Sequence, residues 1–207
     1  MEFKPIFIPE GTKYGNNRWE VYSPKIKRRV KLYSDLEYYH WLTIEMDPNI
    51  ISFCEQPLKI PDTKSPLSNH NGFSIPDMIM EDTEHNYTIV EVKHRSELQN
   101  LRTQKQLKIQ QGWAEDNKFA FRIFTDDILK QRYLLATYKQ IIQCVASIEY
   151  EIIEPAMKLI LSHYKKDQLV NIQQILSDQY GSKNTTLQAL YYLIYQGRLR
   201  LLIQLPE

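Results

Sequence analysis

The alternation of apolar and polar positions changes period along the chain, and each change marks an element. Tyr87–Lys93 (YTIVEVK) is rich in β-branched and aromatic residues, which predicts a strand. Its side chains alternate faces, so Glu91 and Lys93 share one face while Val90 and Val92 take the other. The polar run 82–86 (DTEHN) is turn chemistry, so 72–81 and 87–94 are predicted to pair as an antiparallel hairpin. Residues 34–47 (SDLEYYHWLTIEMD) predict a helix stopped by Pro48. Residues 49–60 predict a strand with Glu55-Gln56-Pro57 in its middle, and 61–71 has loop composition. A long helix is predicted over 96–117, where Leu98, Leu101, Leu107, Ile109 and Trp113 roughly follow helical spacing. A strand at 119–125 (FAFRIFT) follows. Helix, strand, strand, strand, helix, strand predicts a mixed sheet flanked by helices, an α/β core.

The tail changes character. Helices are predicted at 128–144, 150–164, 170–180 and 185–196, the last two closed by Gly181 and Gly197, with a terminal strand at 199–205. Two short helices followed by a strand suggest a mainly helical, winged-helix-like unit. The helix TTLQALYYLIYQ carries no Lys or Arg, whereas a groove-reading helix offers cations to bases and phosphates. A protein-docking role is therefore expected, with Tyr191, Tyr192 and Tyr195 as anchors; a core helix is the alternative. The expected domains are 1–128 and 129–207.

Composition is that of a globular chain: 207 residues, 43% hydrophobic and 25% charged. Two cysteines without CxxC spacing argue against a disulfide framework or a zinc site. No run approaches a membrane span, so no membrane partner and a cytoplasmic location are expected. Net charge is only +1, but it is unevenly spread. Residues 1–33 carry eight Lys/Arg against three acids, 34–93 carry three against eleven, and 94–140 carry nine against five. An acidic centre between basic flanks suits a metal site beside a phosphate track.

The chemistry concentrates in 75–93. If the turn centres near Glu84, Asp77 falls opposite Glu91. Facing carboxylates destabilise a sheet unless a cation lies between them, and an all-oxygen site suits Mg²⁺ or Mn²⁺. Lys93 then orients or deprotonates a water, or stabilises developing negative charge. A short ExK pattern also arises as an exposed ion pair worth little. Ser34 and Glu37 fit a capping box; alternatively Glu37 faces the sheet and shares a metal with Asp77. The two readings compete for one carboxylate. Gln56 either hydrogen-bonds near the site or satisfies a local backbone group. Among the basic cluster at 25–31, Lys27, Arg28 and Arg29 are candidate DNA contacts, with a lysine-protected strand edge as the alternative.

The succession S-x-L-E, E-Q-P, P-D, E-V-K and a strand ending in Thr-Asp resembles TnsA, the endonuclease subunit of heteromeric transposases, some of them CRISPR-guided. The motifs span about residues 29–126. The resemblance implies a restriction-endonuclease-like PD-(D/E)xK core with Glu37, Asp77, Glu91 and Lys93 as active site. It implies that Asp77, Glu91 and the Val92 carbonyl hold Mg²⁺, with help from Glu37 and with Mn²⁺ able to substitute. Some members carry Gln at the position of Glu91. The implied substrate is double-stranded DNA at transposon ends, cut on the 5′ strands of a prokaryotic nucleoid. The implied partners are the 3′-cutting transposase TnsB and the ATPase regulator TnsC. A free-standing repair or structure-specific nuclease and an inactive assembly adaptor are the alternatives.

Overall fold

The computed structural model describes residues 3–6, 17–62, 72–165, 168–170 and 182–201. Contacts divide the chain into two units. One is Met1–Trp41 with Asn49–Lys130; the other is Leu42–Pro48 with Gln131–Glu207.

The first unit opens with an antiparallel hairpin, β1 (Trp19–Ser23) and β2 (Arg28–Leu32). Helix α1 (Asp35–Met46) follows. Its start is fixed by Ser34, whose Oγ accepts the Glu37 N–H at 3.1 Å. Trp19 stacks on Tyr38 of that first turn at 4.2 Å, and its indole N–H donates to Asp35 at 2.8 Å.

Strand β3 (Ile50–Glu55) ends earlier than the sequence suggests. Glu55-Gln56-Pro57 terminates it, because Gln56 takes a left-handed φ of 40° and Pro57 has no N–H for a ladder. A short pair follows, β4 (Ile60–Pro61) with β5 (Phe73–Ser74). Strands β6 (Met78–Asp82) and β7 (Tyr87–Lys93) form the expected hairpin. Helix α2 spans Leu101–Asp116, later than the sequence suggests. Residues Arg95–Glu97 form a separate 3-10 turn, and the Asn100 side chain caps the helix by accepting the Arg102 N–H. Strand β8 (Ala120–Thr125) completes the sheet.

The sheet order is β3-β6-β7-β8, antiparallel up to β7 and parallel from β7 to β8. Parallel neighbours need a crossover, which α2 supplies. Cys54, Ile79, Ile89 and Ala114 form the core between sheet and helix, with Trp113, Phe119 and Phe121 against it.

The second unit holds α3 (Arg132–Val145), α4 (Tyr150–His163), β9 (Gln168–Val170), α5 (Lys183–Tyr195) and β10 (Leu199–Leu201). A 3-10 segment, Asp126–Gln131, takes the place of the expected first helical turns before α3. Val170 lies in β9, which pairs in parallel with β10; the rest of the helix expected over 170–180, and the strand beyond 201, fall outside the described residues. Ile141, Ile153, Ile160, Leu190 and Leu193 are fully buried. The Tyr195 hydroxyl donates to buried Glu45 at 2.8 Å and Tyr192 meets Tyr150 edge to face, so these two tyrosines pack within their own unit. Gly197 has a φ of 67°, and a Cβ there would come within 2.5 Å of Pro48. Both conditions demand glycine. Among the described residues no helix is long and apolar enough to cross a membrane.

Candidate active site

The turn between β6 and β7 sets the site. Asp82 Oδ1 accepts the N–H groups of Glu84 and Asn86, both at 2.9 Å, and His85 takes a φ of 63°. That closes the hairpin with Met78 opposite Val90 and Ile79 opposite Ile89. One step further along the same register, Asp77 faces Glu91. Asp77 Oδ2 accepts the Val92 N–H at 2.8 Å.

Glu91 is 1% exposed. Three donors hold it. Lys93 Nζ and Gln106 Nε2 each donate to Oε1 at 2.6 Å, and Gln110 Nε2 donates to Oε2 at 2.7 Å. Burial and the neighbouring Asp77 push the Glu91 carboxyl up to about 7, against the pull of Lys93 and Gln110. Burial works against the Lys93 charge, yet the attraction of Glu91 and Asp77 outweighs it and the ammonium is held above its ordinary value. Two carboxylates in mutual repulsion thus sit beside one lysine.

A cleft of about 540 Å³ opens over this hairpin, lined by Asp35, Glu37, Asp77, Val92, Lys93 and His94 among others. Among its charged lining residues the acids Asp35, Glu37, Asp77 and Glu97 outnumber Lys93, which favours a cation. Glu91 is not part of the lining; it is joined to it through Lys93, whose ammonium donates to its Oε1.

Glu37 lines the same cleft, and both of its oxygens already have partners. Oε1 accepts from Ser34 Oγ at 3.2 Å; Oε2 accepts from the Tyr33 N–H at 3.0 Å and from Gln56 Nε2 at 3.3 Å. The cap geometry and the cleft position therefore coexist in one side chain. Gln56 links the two acids of the cleft: its N–H donates to the Asp77 carbonyl at 3.1 Å while its amide reaches Glu37. Among the described residues no group of three or more His, Cys, Asp or Glu is arranged to hold a metal, so Glu37 does not complete a ready-made trio with Asp77 and Glu91.

The three basic candidates separate. Lys27 and Arg29 are exposed. Arg28 turns inward and grips buried Glu55 with both nitrogens, at 2.7 and 2.6 Å. Arg29 pairs with exposed Glu20 at 2.8 Å.

Hydrophobic spacing alone overlooks Gln106 and Gln110. They stand one helical turn apart, at i and i+4, soon after E-V-K, and that spacing on a helix facing the sheet is the signal the sequence offers for them.

Residues 47–126 match the family described as TnsA-like endonuclease, N terminal. Over that span, under half of the chain, the protein is similar to the TnsA-like family. The matched span carries Gln56, Asp77, Glu91, Lys93, Gln106 and Gln110, and Glu37 lies upstream of it. No curated protein matches the chain. A TnsA-like endonuclease domain points to a nuclease role in transposition, alongside other subunits of such a transposase.

Proposed function

We propose that the chain is a Mg²⁺-dependent DNA endonuclease subunit of a transposase. It cuts the 5′ strands at transposon ends, while a TnsB-type partner cuts the 3′ strands and a TnsC-type ATPase regulates the assembly. The observation that carries this reading is the closeness of Asp77, Glu91 and Lys93 at the end of the β6–β7 hairpin, with Asp77 and Lys93 lining a cleft and all three inside the TnsA-like span.

The donor set fits a hard divalent cation. Asp77, Glu91 and the Val92 carbonyl offer only oxygen, and Mg²⁺ is commonly bound through one or two carboxylates with water and substrate phosphate making up the rest. The Asp77–Glu91 repulsion is what a cation relieves. Such an ion, or Mn²⁺ in its place, supplies a Lewis acid at the phosphate and a more acidic bound water. Lys93 lines the cleft, which supports a role for its ammonium in orienting a water or meeting negative charge on the phosphate. Glu37 holds the cleft wall and aids metal binding. The unit from Gln131 onward is proposed to be winged-helix-like and to dock the ATPase regulator.

The test uses the product of transposition. Lys93→Ala leaves Asp77 and Glu91 in place, so the complex still assembles. With the 5′ strands uncut and the 3′ ends joined, replication yields a fused cointegrate. Long-read sequencing is expected to show simple insertions from wild type and cointegrates from Lys93→Ala. Mostly simple insertions from the variant would place the 5′ cut in another subunit and make this chain an adaptor. Cleavage of branched DNA by the chain alone would favour a free-standing nuclease.

A further inference from the structure

The buried stripe of α2 is Thr103, Leu107, Gln110 and Ala114. A helix buries a glutamine when the glutamine has work for its donors. Both Nε2 protons of Gln110 are used, one on Glu91 Oε2 at 2.7 Å and one on Ser74 Oγ at 2.8 Å. Its Oε1 is buried and has no hydrogen-bond partner. Buried acceptors are normally satisfied, so the amide is oriented by the carboxylate rather than by its own needs. Turned the other way, its carbonyl oxygen would face Glu91 Oε2. One turn back, Gln106 donates to Glu91 Oε1, sharing that oxygen with Lys93. A carboxylate has about four lone-pair sites; three are filled, and the one left is on Oε2.

We propose that Gln106 and Gln110 are positioning residues that clamp both oxygens of Glu91, leaving one Oε2 site for a divalent cation. Gln106 keeps Oε1 in place when the Lys93 ammonium leaves it for the phosphate. The inference rests on the nuclease reading above and deepens it. Residues that orient metal ligands through hydrogen bonds typically change metal affinity by about 10–100-fold when removed.

The experiment is a titration of the full-length chain with Mn²⁺ alone, without DNA, following free Mn²⁺ by electron paramagnetic resonance. Methionine matches glutamine in length and helix preference, so Gln110→Met and Gln106→Met remove the donors while keeping the packing. Gln110→Met is expected to weaken Mn²⁺ binding about tenfold and Gln106→Met a fewfold. In a cleavage assay the metal concentration at half-maximal rate should rise in the same order, while the rate at saturating metal falls less. Should Gln110→Met not fold, half-buried Gln106 carries the test alone. Wild-type Mn²⁺ affinity in the folded variants, with only a lower melting temperature, would reduce both glutamines to packing and overturn the clamp. If wild type itself bound no Mn²⁺, the nuclease reading would fall and the clamp with it, an outcome distinct from binding that the variants leave untouched.

Discussion

Two hairpins of the first unit are rich in charge, and they resolve it in opposite ways. In β1–β2 two of the three candidate cations meet an acid: Arg28 holds Glu55 and Arg29 holds Glu20. Burial of Glu55 is tolerated because the guanidinium fork matches it with two charge-assisted bonds. In β6–β7 the acids meet each other. Asp77 raises the proton affinity of Glu91, and a single lysine bridges only part of the deficit. A hairpin that merely folds pairs its charges with opposite ones, here on its own strands and on β3. One that keeps two carboxylates facing at the edge of an acidic cleft leaves room for a charge from outside. That difference supports the chemistry proposed for β6–β7 and a largely structural role for Arg28.

The comparison breaks first, and with the largest effect, at Glu37. Its Oε2 accepts from the Tyr33 N–H and Gln56, while Oε1 meets the Ser34 hydroxyl, which can turn to accept. Glu37→Gln therefore keeps the helix start but is a poor metal ligand. A near-normal melting temperature with cleavage lost is expected. A large fall in melting temperature with cleavage retained would make Glu37 a cap alone and weaken the claim that the acidic cleft is kept for chemistry.

Next is Arg28→Ala. Among the described residues it leaves Glu55, 3% exposed, with a long 3.4 Å contact from the Lys31 N–H. Breaking a buried pair from one side destabilises by roughly 3–5 kcal/mol. Arg28 is itself 34% exposed, so the lower end is expected from chemical denaturation. Replacing both partners by methionine should recover most of the loss, since a matched apolar pair needs no compensation. Little change from Arg28→Ala would return Arg28 to the DNA-contact candidates.

How far the sequence discloses these features depends on sequence distance. The DTEHN turn is local, so the register that sets Asp77 against Glu91 is legible in the chain itself. So is the Ser34 start of α1, because a cap is contained within four residues. The Arg28–Glu55 pair is not, since its partners lie on β2 and β3 and each reads alone as an exposed charge. The α2 stripe is misread from hydrophobic spacing because its buried positions include Thr103 and Gln110, while Leu101, counted as apolar, is 83% exposed. A search for hydrophobic spacing overlooks a helix face that is buried in order to serve a carboxylate.

Smaller, and signed by pH, is Glu91→Gln. The unfolded carboxyl has a reference value of 4.5 and the folded one titrates near 7. The folded state thus holds its proton more tightly, which contributes stability fully present below about pH 4.5 and lost as pH rises through 7. The shift amounts to at most about 3 kcal/mol. The amide that replaces the carboxyl has no such proton, and Gln110 can turn its own amide to meet it. Without divalent metal, wild type should lose stability relative to Glu91→Gln between pH 5 and 8. Parallel pH profiles would mean that the three donors already compensate Glu91, and the contrast between the hairpins would narrow.

The smallest effect on the fold is expected one residue along from Arg28. Arg29 and Glu20 are both well exposed, 78% and 47%, and a solvated pair adds little to stability because water screens it and two long side chains must be ordered. Arg29→Ala should therefore leave the melting temperature unchanged. Its effect belongs in DNA binding. A near-neutral chain is expected to bind DNA weakly and with strong salt dependence, and losing one phosphate contact should weaken binding alike on all sequences and lower the salt slope by about one. Arg28→Ala and Arg29→Ala then form a matched pair of neighbours, one that lowers stability and one that lowers only the salt-dependent affinity. If Arg29→Ala leaves both the melting temperature and the salt slope at their wild-type values, the β1–β2 hairpin carries no DNA backbone through that residue, and its surface charge is only a protected strand edge.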